Sequence, residues 1–162
     1  MSASDLRFAA SAVIHARPEV VWDILTDYHN GHPKILPPSA FSDFPVESGG
    51  KGAGTRMAFT FRVAGSTRSI HHVASTPVPG RTLVEAEPDG SFVTTFALAP
   101  LDDGRQTRLT ITTSQRSAVG ARGAIERLLA PLIAPAMQRI YQDEMRRLDT
   151  LASDWPAPEP GV

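Results

Sequence analysis

The amino-acid sequence predicts an α+β fold, in which a curved antiparallel sheet of about seven strands wraps around a long C-terminal helix. Apolar and polar residues alternate through the middle of the chain, and turn residues separate the alternating segments. Apolar residues at helical spacing dominate the end of the chain, and two short helical segments follow the first strand. With 162 residues, the chain is long enough for one domain with its own hydrophobic core.

The first strand and the helical segments after it are predicted within residues 6–38. Apolar residues of one parity indicate a strand over residues 6–16. A helix is predicted over residues 18–28, because Pro18 suits the first helical position and Glu19 complements the positive helix end. Residues 29–38 contain several prolines, which predict a loop or a second short helical turn.

Six further strands are predicted between turn residues, over residues 40–47, 54–64, 67–76, 81–87, 91–99 and 106–115. The clearest is the strand over residues 54–64, where Met57, Phe59 and Phe61 alternate with polar residues. The segment Asp102-Asp103-Gly104 is typical of a hairpin turn between the last two strands. With the first strand, these segments give the predicted sheet of about seven strands.

The last predicted helix covers about residues 120–152. Pro131 and Pro135 each lack a backbone donor, which predicts a kink or a break between residues 130 and 135. Residues 1–153 are predicted to form a single domain, and the proline-rich residues 154–162 are predicted to form a loosely ordered tail.

Composition narrows the classes of function. A net charge of −1 gives no electrostatic reason to expect a nucleic-acid partner. The chain contains no cysteine, so disulfides, thiolate metal sites and thiol catalysis are excluded. The N-terminus has no signal-peptide pattern, and no apolar run is long enough to span a bilayer. We therefore expect a soluble cytoplasmic protein without stable membrane insertion.

Several short segments together resemble a known superfamily. They are Ala16-Arg-Pro-Glu-Val-Val-Trp22, Leu25-Thr-Asp-Tyr28 followed by Pro33 and Pro37, Gly54-Thr-Arg-Met57, and Tyr141 with Glu144, Arg147 and Leu148. This pattern resembles the START/Bet v 1-like (SRPBCC) superfamily, which includes polyketide cyclase/dehydrase and lipid-transport domains. The resemblance covers most of the chain and implies a helix-grip fold with a cavity between the sheet and the last helix. The matched residues belong mainly to the scaffold, so they do not identify a ligand.

The concave sheet face and the last helix supply the predicted lining of that cavity: Met57, Phe59, Phe61, Phe92, Phe96, Leu109, Ile111, Met137 and Tyr141. These apolar side chains suit a pocket for a hydrophobic ligand. They would equally suit a solid core in which they simply pack together. The resemblance favours the cavity.

His72 and Tyr141 are the candidate catalytic residues. His71 and His72 are neighbours on a strand and must point to opposite faces, so only one of them can face the cavity. We expect His72 to face inward beside Ile70. A buried histidine that is hydrogen-bonded to a neighbour remains an alternative to a ligand contact or general base.

Two other polar groups have simpler interpretations. Asp27, His29 and His32 resemble metal ligands in their spacing, but a plain loop at the pocket entrance fits them better. We therefore predict no metal and no cofactor. Glu85 and Glu87 are expected on a solvated sheet face, with a buried Glu–Arg pair as the alternative.

The sequence therefore supports more than one function. The first is binding of a hydrophobic small molecule, such as a lipid, an isoprenoid or a polyketide-like ring system. The second is a cyclase or dehydratase that uses a pocket histidine or tyrosine as proton shuttle. A third is a partner-binding module, and a homodimer is left open. Whether the protein is an enzyme is undecided at this level.

Overall fold

The computed structural model describes residues 5–159. Its helices and strands follow the chain in this order: β1 (Leu6–Ile14), α1 (Pro18–Thr26), α2 (His32–Ile35), β2 (Phe41–Ser42), β3 (Val46–Ser48), β4 (Arg56–Val63), β5 (Ser66–Val78), β6 (Thr82–Ala86), β7 (Phe92–Leu101), β8 (Gln106–Gln115) and α3 (Ala121–Asp154). A short 3₁₀ turn, Asp102–Gly104, joins β7 to β8. The predicted fold class is confirmed: a curved antiparallel sheet packs against a long C-terminal helix.

The sheet contains eight strands in the order β1-β8-β7-β6-β5-β4-β2, with β3 also paired to β4. Every pairing is antiparallel, and β1 returns to the sheet beside β8. The extra strand arises because the single strand predicted over residues 40–47 is two short ones. Asp43 between them has a φ of 51°, and Pro45 cannot donate a ladder hydrogen bond.

Alternation along the strands separates a buried face from an outer face. On β4, Met57, Phe59 and Phe61 are buried, whereas Arg56 and Arg62 are exposed. The inward faces of β5 to β8 continue this layer. The concave surface that results lies against α3 and holds the hydrophobic core.

Helix α3 is buried unevenly along its length. Toward its C-terminal end, Met137, Tyr141, Met145 and Leu148 recur at three- and four-residue spacing and face the core. Toward its N-terminal end, apolar side chains remain in solvent, and Leu128 is 76% exposed. The two halves therefore differ in how tightly they pack on the sheet.

Of the kink or break predicted between residues 130 and 135, the break is wrong, because α3 continues as one helix through Pro131 and Pro135. Both residues are exposed and lie four positions apart, so they share the solvent face of the helix. Water can therefore hydrate the carbonyl groups that lose their intrahelical donors there.

Trp155 follows α3 and is anchored rather than loose. Its indole Nε1 donates a hydrogen bond to Asp23 Oδ2 at 2.7 Å, which ties the end of α3 to α1. Residues 160–162 of the predicted tail lie outside the described residues. None of the helices within residues 5–159 combines the length and apolar character that crossing a bilayer requires.

Candidate functional site

A small inner chamber lies between the concave sheet face and α3. It has a volume of about 30 Å³ and is lined by His32, Leu36, Phe41, Phe44, Phe59, Phe61, His72, Glu85, Phe92, Thr94, Phe96, Thr113, Met137, Tyr141 and Glu144. This volume is about that of one water molecule. The interior of the fold is thus largely filled, and the polar groups of the chamber lie inside an aromatic wall.

Glu85 is the central charged group of the chamber. The prediction that it lies on a solvated sheet face is wrong, because it shares the inward parity of Leu83 on β6 and is only 5% exposed. The Tyr28 hydroxyl, just after α1, donates a hydrogen bond to Glu85 Oε1 at 2.7 Å. The alternative of a buried Glu–Arg pair is also wrong, since the contacts of Glu85 are with tyrosine and histidine.

Two histidines flank the Glu85 carboxylate. His32 Nδ1 donates a hydrogen bond to the Leu25 carbonyl at 2.7 Å and lies 3.6 Å from Glu85 Oε1. His72 Nδ1 lies 3.8 Å from Glu85 Oε2, too far for a hydrogen bond. Burial opposes ionisation of Glu85, but His32, His72 and the Tyr28 hydroxyl outweigh that effect and hold its pKa below the usual value. Glu85 is therefore an anion at neutral pH.

Glu144 supplies a second buried carboxyl, from α3. It is 3% exposed, and its Oε1 has no hydrogen-bond partner among residues 5–159. Burial, together with repulsion from the charge of Glu85, raises the pKa of Glu144 to about 8. The chamber thus combines one ionised carboxylate with one that is mainly protonated at neutral pH.

Tyr141 lies one helical turn before Glu144 and also lines the chamber. Its hydroxyl donates a hydrogen bond to Thr113 Oγ1 at 2.5 Å, and Thr113 is in turn 3.0 Å from Thr94 Oγ1. Burial raises the pKa of Tyr141 above its ordinary value. The hydroxyl therefore stays protonated and is positioned by β8.

Aromatic rings hold the two inward histidines in place. The His72 ring packs edge-on against Phe59, with centroids 5.2 Å apart, and stacks on Phe92 at 5.7 Å. His32 contacts the Phe96 ring edge-on at 5.5 Å. These contacts leave each imidazole little freedom to turn.

A much larger cleft opens outside the chamber, between the N-terminal half of α3 and the adjacent ends of β1, β4, β5, β7 and β8. Its volume is about 910 Å³. Phe61, Phe92, Thr113 and Met137 line both spaces and thus form the boundary between them. The Arg68 guanidinium lies 5.4 Å from the centre of the Phe92 ring at this boundary. We call this space the outer cleft.

The predicted lining residues are all buried, but they do not all reach a cavity. Phe59, Phe61, His72, Phe92, Phe96, Met137 and Tyr141 line the inner chamber. Met57, Leu109 and Ile111 face inward but are enclosed by the hydrophobic core and line neither the chamber nor the outer cleft. Alternation identifies the inward face correctly, yet it cannot show which inward positions border free space.

His72 is buried and His71 is exposed, in agreement with the predicted orientation. Neither ring nitrogen of His72 has a hydrogen-bond partner within residues 5–159, and the charged group beside its ring is Glu85, 3.8 Å from Nδ1. Sequence reasoning did not assign Glu144 or His32 to the chamber. The signal for Glu144 was its i+3 spacing from Tyr141, which places both on one helix face.

Residues 27–32, whose spacing resembles that of metal ligands, do not bring their side chains together. His32 turns into the core, whereas His29 is exposed, so the two rings do not face a common site. Within the described part of the chain, no group of three or more metal-ligating side chains is arranged to hold an ion.

Comparison with known proteins places this geometry in a family. Residues 5–153 match the family described as polyketide cyclase/dehydrase and lipid transport. The KanY protein has 25% identity and a TM-score of 0.76, over 93% of this chain and 99% of that one. The Zhui aromatase/cyclase from Streptomyces sp. R1128 has 16% identity and a TM-score of 0.69, over 93% and 94%.

A third similar structure is a norcoclaurine synthase from Thalictrum flavum, with 15% identity and a TM-score of 0.66, over 94% of this chain and 99% of that one. No curated protein sequence matches the chain. The family match covers nearly all described residues, and the structural matches share the same architecture. The chain therefore belongs to the polyketide cyclase/dehydrase and lipid transport family, one of those that the resemblance of its sequence includes.

Proposed function

We propose that the protein binds a hydrophobic small molecule in the outer cleft, with one end of the ligand directed at the inner chamber. The observation that carries this proposal is the cleft itself, whose volume of about 910 Å³ lies within the range of small-molecule sites. Apolar side chains from two sides line it, including Phe8, Val63, Ile133 and Met137. The inner chamber alone, at about 30 Å³, is too small for a ring system.

Burial of apolar surface is the main source of affinity in this proposal. Each Å² of apolar surface removed from water contributes roughly 25 cal/mol. The loss of ligand freedom and the ordering of side chains offset part of that gain. A lipid, an isoprenoid or a polyketide-like ring system would suit such a cleft, and the family description names both polyketide cyclase/dehydrase and lipid transport.

The first prediction tests binding in the outer cleft. The neutral probe N-phenyl-1-naphthylamine is expected to bind with increased fluorescence and to raise the melting temperature. The substitution Ile133→Glu places a charge on the cleft wall and should weaken binding at least tenfold. Titration of probe fluorescence against protein concentration measures both affinities.

Leu128→Glu is the matched control, because Leu128 lies on the same helix but is 76% exposed and outside the cleft lining. Its affinity should stay within about twofold of the wild-type value, as expected of an exposed position away from the site. Equal weakening by both substitutions, or no binding to the wild-type protein, would contradict binding in this cleft.

A second candidate function is that of a cyclase or dehydratase. Two observations favour it: His72 and Tyr141 both line the chamber, and the Zhui protein with this fold is an aromatase/cyclase. In such a reaction, the pocket would hold a flexible polyketone in a folded shape, and a proton shuttle would assist carbon–carbon bond formation and loss of water.

The second prediction concerns this chemistry. Heptane-2,4,6-trione can close by attack of its terminal methyl carbon on the distant carbonyl and lose one water to give 5-methylresorcinol. If the protein is a cyclase, it should accelerate this conversion. His72→Ala and Tyr141→Phe should each lower the rate at least a hundredfold while probe affinity stays within a few-fold. Product absorbance measures the rate, and unchanged rates in both variants would exclude these residues as proton shuttles.

A further inference from the structure

Three polar side-chain atoms of the inner chamber have no hydrogen-bond partner within residues 5–159. They are both ring nitrogens of His72 and Oε1 of Glu144. His72 is 2% exposed and Glu144 is 3% exposed, so bulk solvent does not reach either group. Buried polar atoms are nearly always hydrogen-bonded, and leaving them unpaired costs free energy. A polar group from outside the chain would remove that cost.

The size of the chamber limits what that group can be. About 30 Å³ admits a small terminal group, whereas the site of a whole small molecule takes roughly 300 Å³ or more. The carbon skeleton of the ligand must then lie in the outer cleft, and only its terminal group can pass the boundary formed by Phe61, Phe92 and Met137.

The charges around the chamber limit the group further. Glu144 on α3 is faced by Glu85 on β6, His72 on β5, His32 on α2 and Tyr141 on its own helix. The buried charge of Glu85 repels any further anion. The raised pKa of Glu144 shows that a second negative charge in the chamber is unfavourable. A carboxylate is therefore a poor partner for this chamber, whereas a neutral group is a good one.

We propose, on the basis of the function proposed above, that the inner chamber selects hydrophobic ligands that end in a neutral hydroxyl group, as in a phenol or the enol of a ketone. Such a hydroxyl accepts a hydrogen bond from the Glu144 carboxyl and donates one to a ring nitrogen of His72. A single oxygen thus gives a partner to the Glu144 carboxyl and to one of the two ring nitrogens of His72, and it is small enough for the chamber. The apolar cleft provides most of the binding affinity, and Glu144 and His72 determine the selectivity for a hydroxyl group.

Three matched bicyclic probes test the proposal at pH 6.5: naphthalene, 2-naphthol and 2-naphthoate. The wild-type protein should bind 2-naphthol at least tenfold more tightly than naphthalene, and 2-naphthoate more weakly than 2-naphthol. Glu144→Leu and His72→Leu should each reduce the preference for 2-naphthol over naphthalene to less than threefold. Glu144→Gln should retain the preference, because the amide is neutral and still donates a hydrogen bond.

The outcomes separate this inference from the proposed function. Equal affinities for naphthalene and 2-naphthol in the wild-type protein would overturn the hydroxyl preference while leaving hydrophobic binding intact. A preference that survives in both leucine variants would overturn the assignment to Glu144 and His72. If no probe binds, the proposed function is wrong and this inference falls with it. The comparison of 2-naphthol with naphthalene in the wild-type protein can overturn the hydroxyl preference by itself, so the test does not require every variant to fold.

Discussion

Replacing Glu85 by alanine is expected to lower the free energy of unfolding by about 3 kcal/mol or more. The substitution removes the acceptor of the Tyr28 hydroxyl and the anion that lies beside His32 and His72. All of these groups are buried, so the Tyr28 hydroxyl would lose its acceptor, and the two histidines would lose the adjacent negative charge, without gaining water. For a domain of this size, the melting temperature should fall by roughly 10 °C. Urea unfolding followed by circular dichroism measures the loss.

Glu87→Ala provides the matched control two positions further along the chain. Glu87 is half-buried and accepts a hydrogen bond from the Ser91 hydroxyl at 2.5 Å, but it does not line the inner chamber. Its removal should cost about 1 kcal/mol or less. Similar losses for Glu85→Ala and Glu87→Ala would mean that Glu85 does not hold the chamber together as described.

The stability of the protein should fall as the pH rises from about 4.5 to about 8, through the ionisation of Glu144. Burial raises the pKa of this carboxyl from 4.5 to about 8 in the folded protein. Between these values the unfolded chain has released the proton while the folded chain still holds it. Folding then becomes less favourable with increasing pH, by roughly 1 kcal/mol for each pH unit. Glu144→Gln cannot ionise and removes this contribution.

The measurement is the difference in unfolding free energy between Glu144→Gln and the wild-type protein at pH 5, 6.5 and 8. The difference should shift in favour of the variant as the pH rises, and it should level off above pH 8. Comparing the two proteins removes the contributions to pH dependence that do not involve Glu144. Glu85 acts in the opposite direction and below this window, because its pKa is lowered.

Glu19→Gln is a suitable control, because Glu19 is exposed in the first turn of α1 and stays solvated on unfolding. Because the position is exposed, this variant should differ from the wild-type protein by about 0.5 kcal/mol or less at each of the three pH values. If the curves for Glu144→Gln and wild type run parallel from pH 5 to 8, Glu144 is already ionised in the folded protein, contrary to the environment described.

The fold could be predicted from the sequence because its signals are local. Alternation on β4 and helical spacing around Met137 to Leu148 each reflect a single element packed on one face. The division of residues 40–47 into two strands was missed, since it depends on the left-handed backbone at Asp43. The continuity of α3 was missed because exposure of Pro131 and Pro135 is a tertiary property.

The chemistry of the inner chamber was less predictable, since it depends on residues far apart in sequence. The alternation of inward and outward residues along the strand was enough to predict that His72 faces inward. It could not show that Glu85 would be buried, because an inward carboxylate is tolerated only when partners such as Tyr28 and His32 are brought to it. Glu144 fitted a scaffold motif, and its proximity to the Glu85 carboxylate emerges only when α3 folds against the sheet.

The uneven burial of α3 affects how a ligand would enter and leave the outer cleft. The C-terminal half of the helix carries Met145 and Leu148 into the core, whereas the half that borders the outer cleft leaves Leu128 and Leu132 in solvent. Fluctuations that lift the loosely packed half disturb few core contacts, so they require much less free energy than global unfolding. If the proposed ligand binds in the outer cleft, its exchange rate and the unfolding rate of the protein would therefore be separate kinetic properties, although both depend on the same helix.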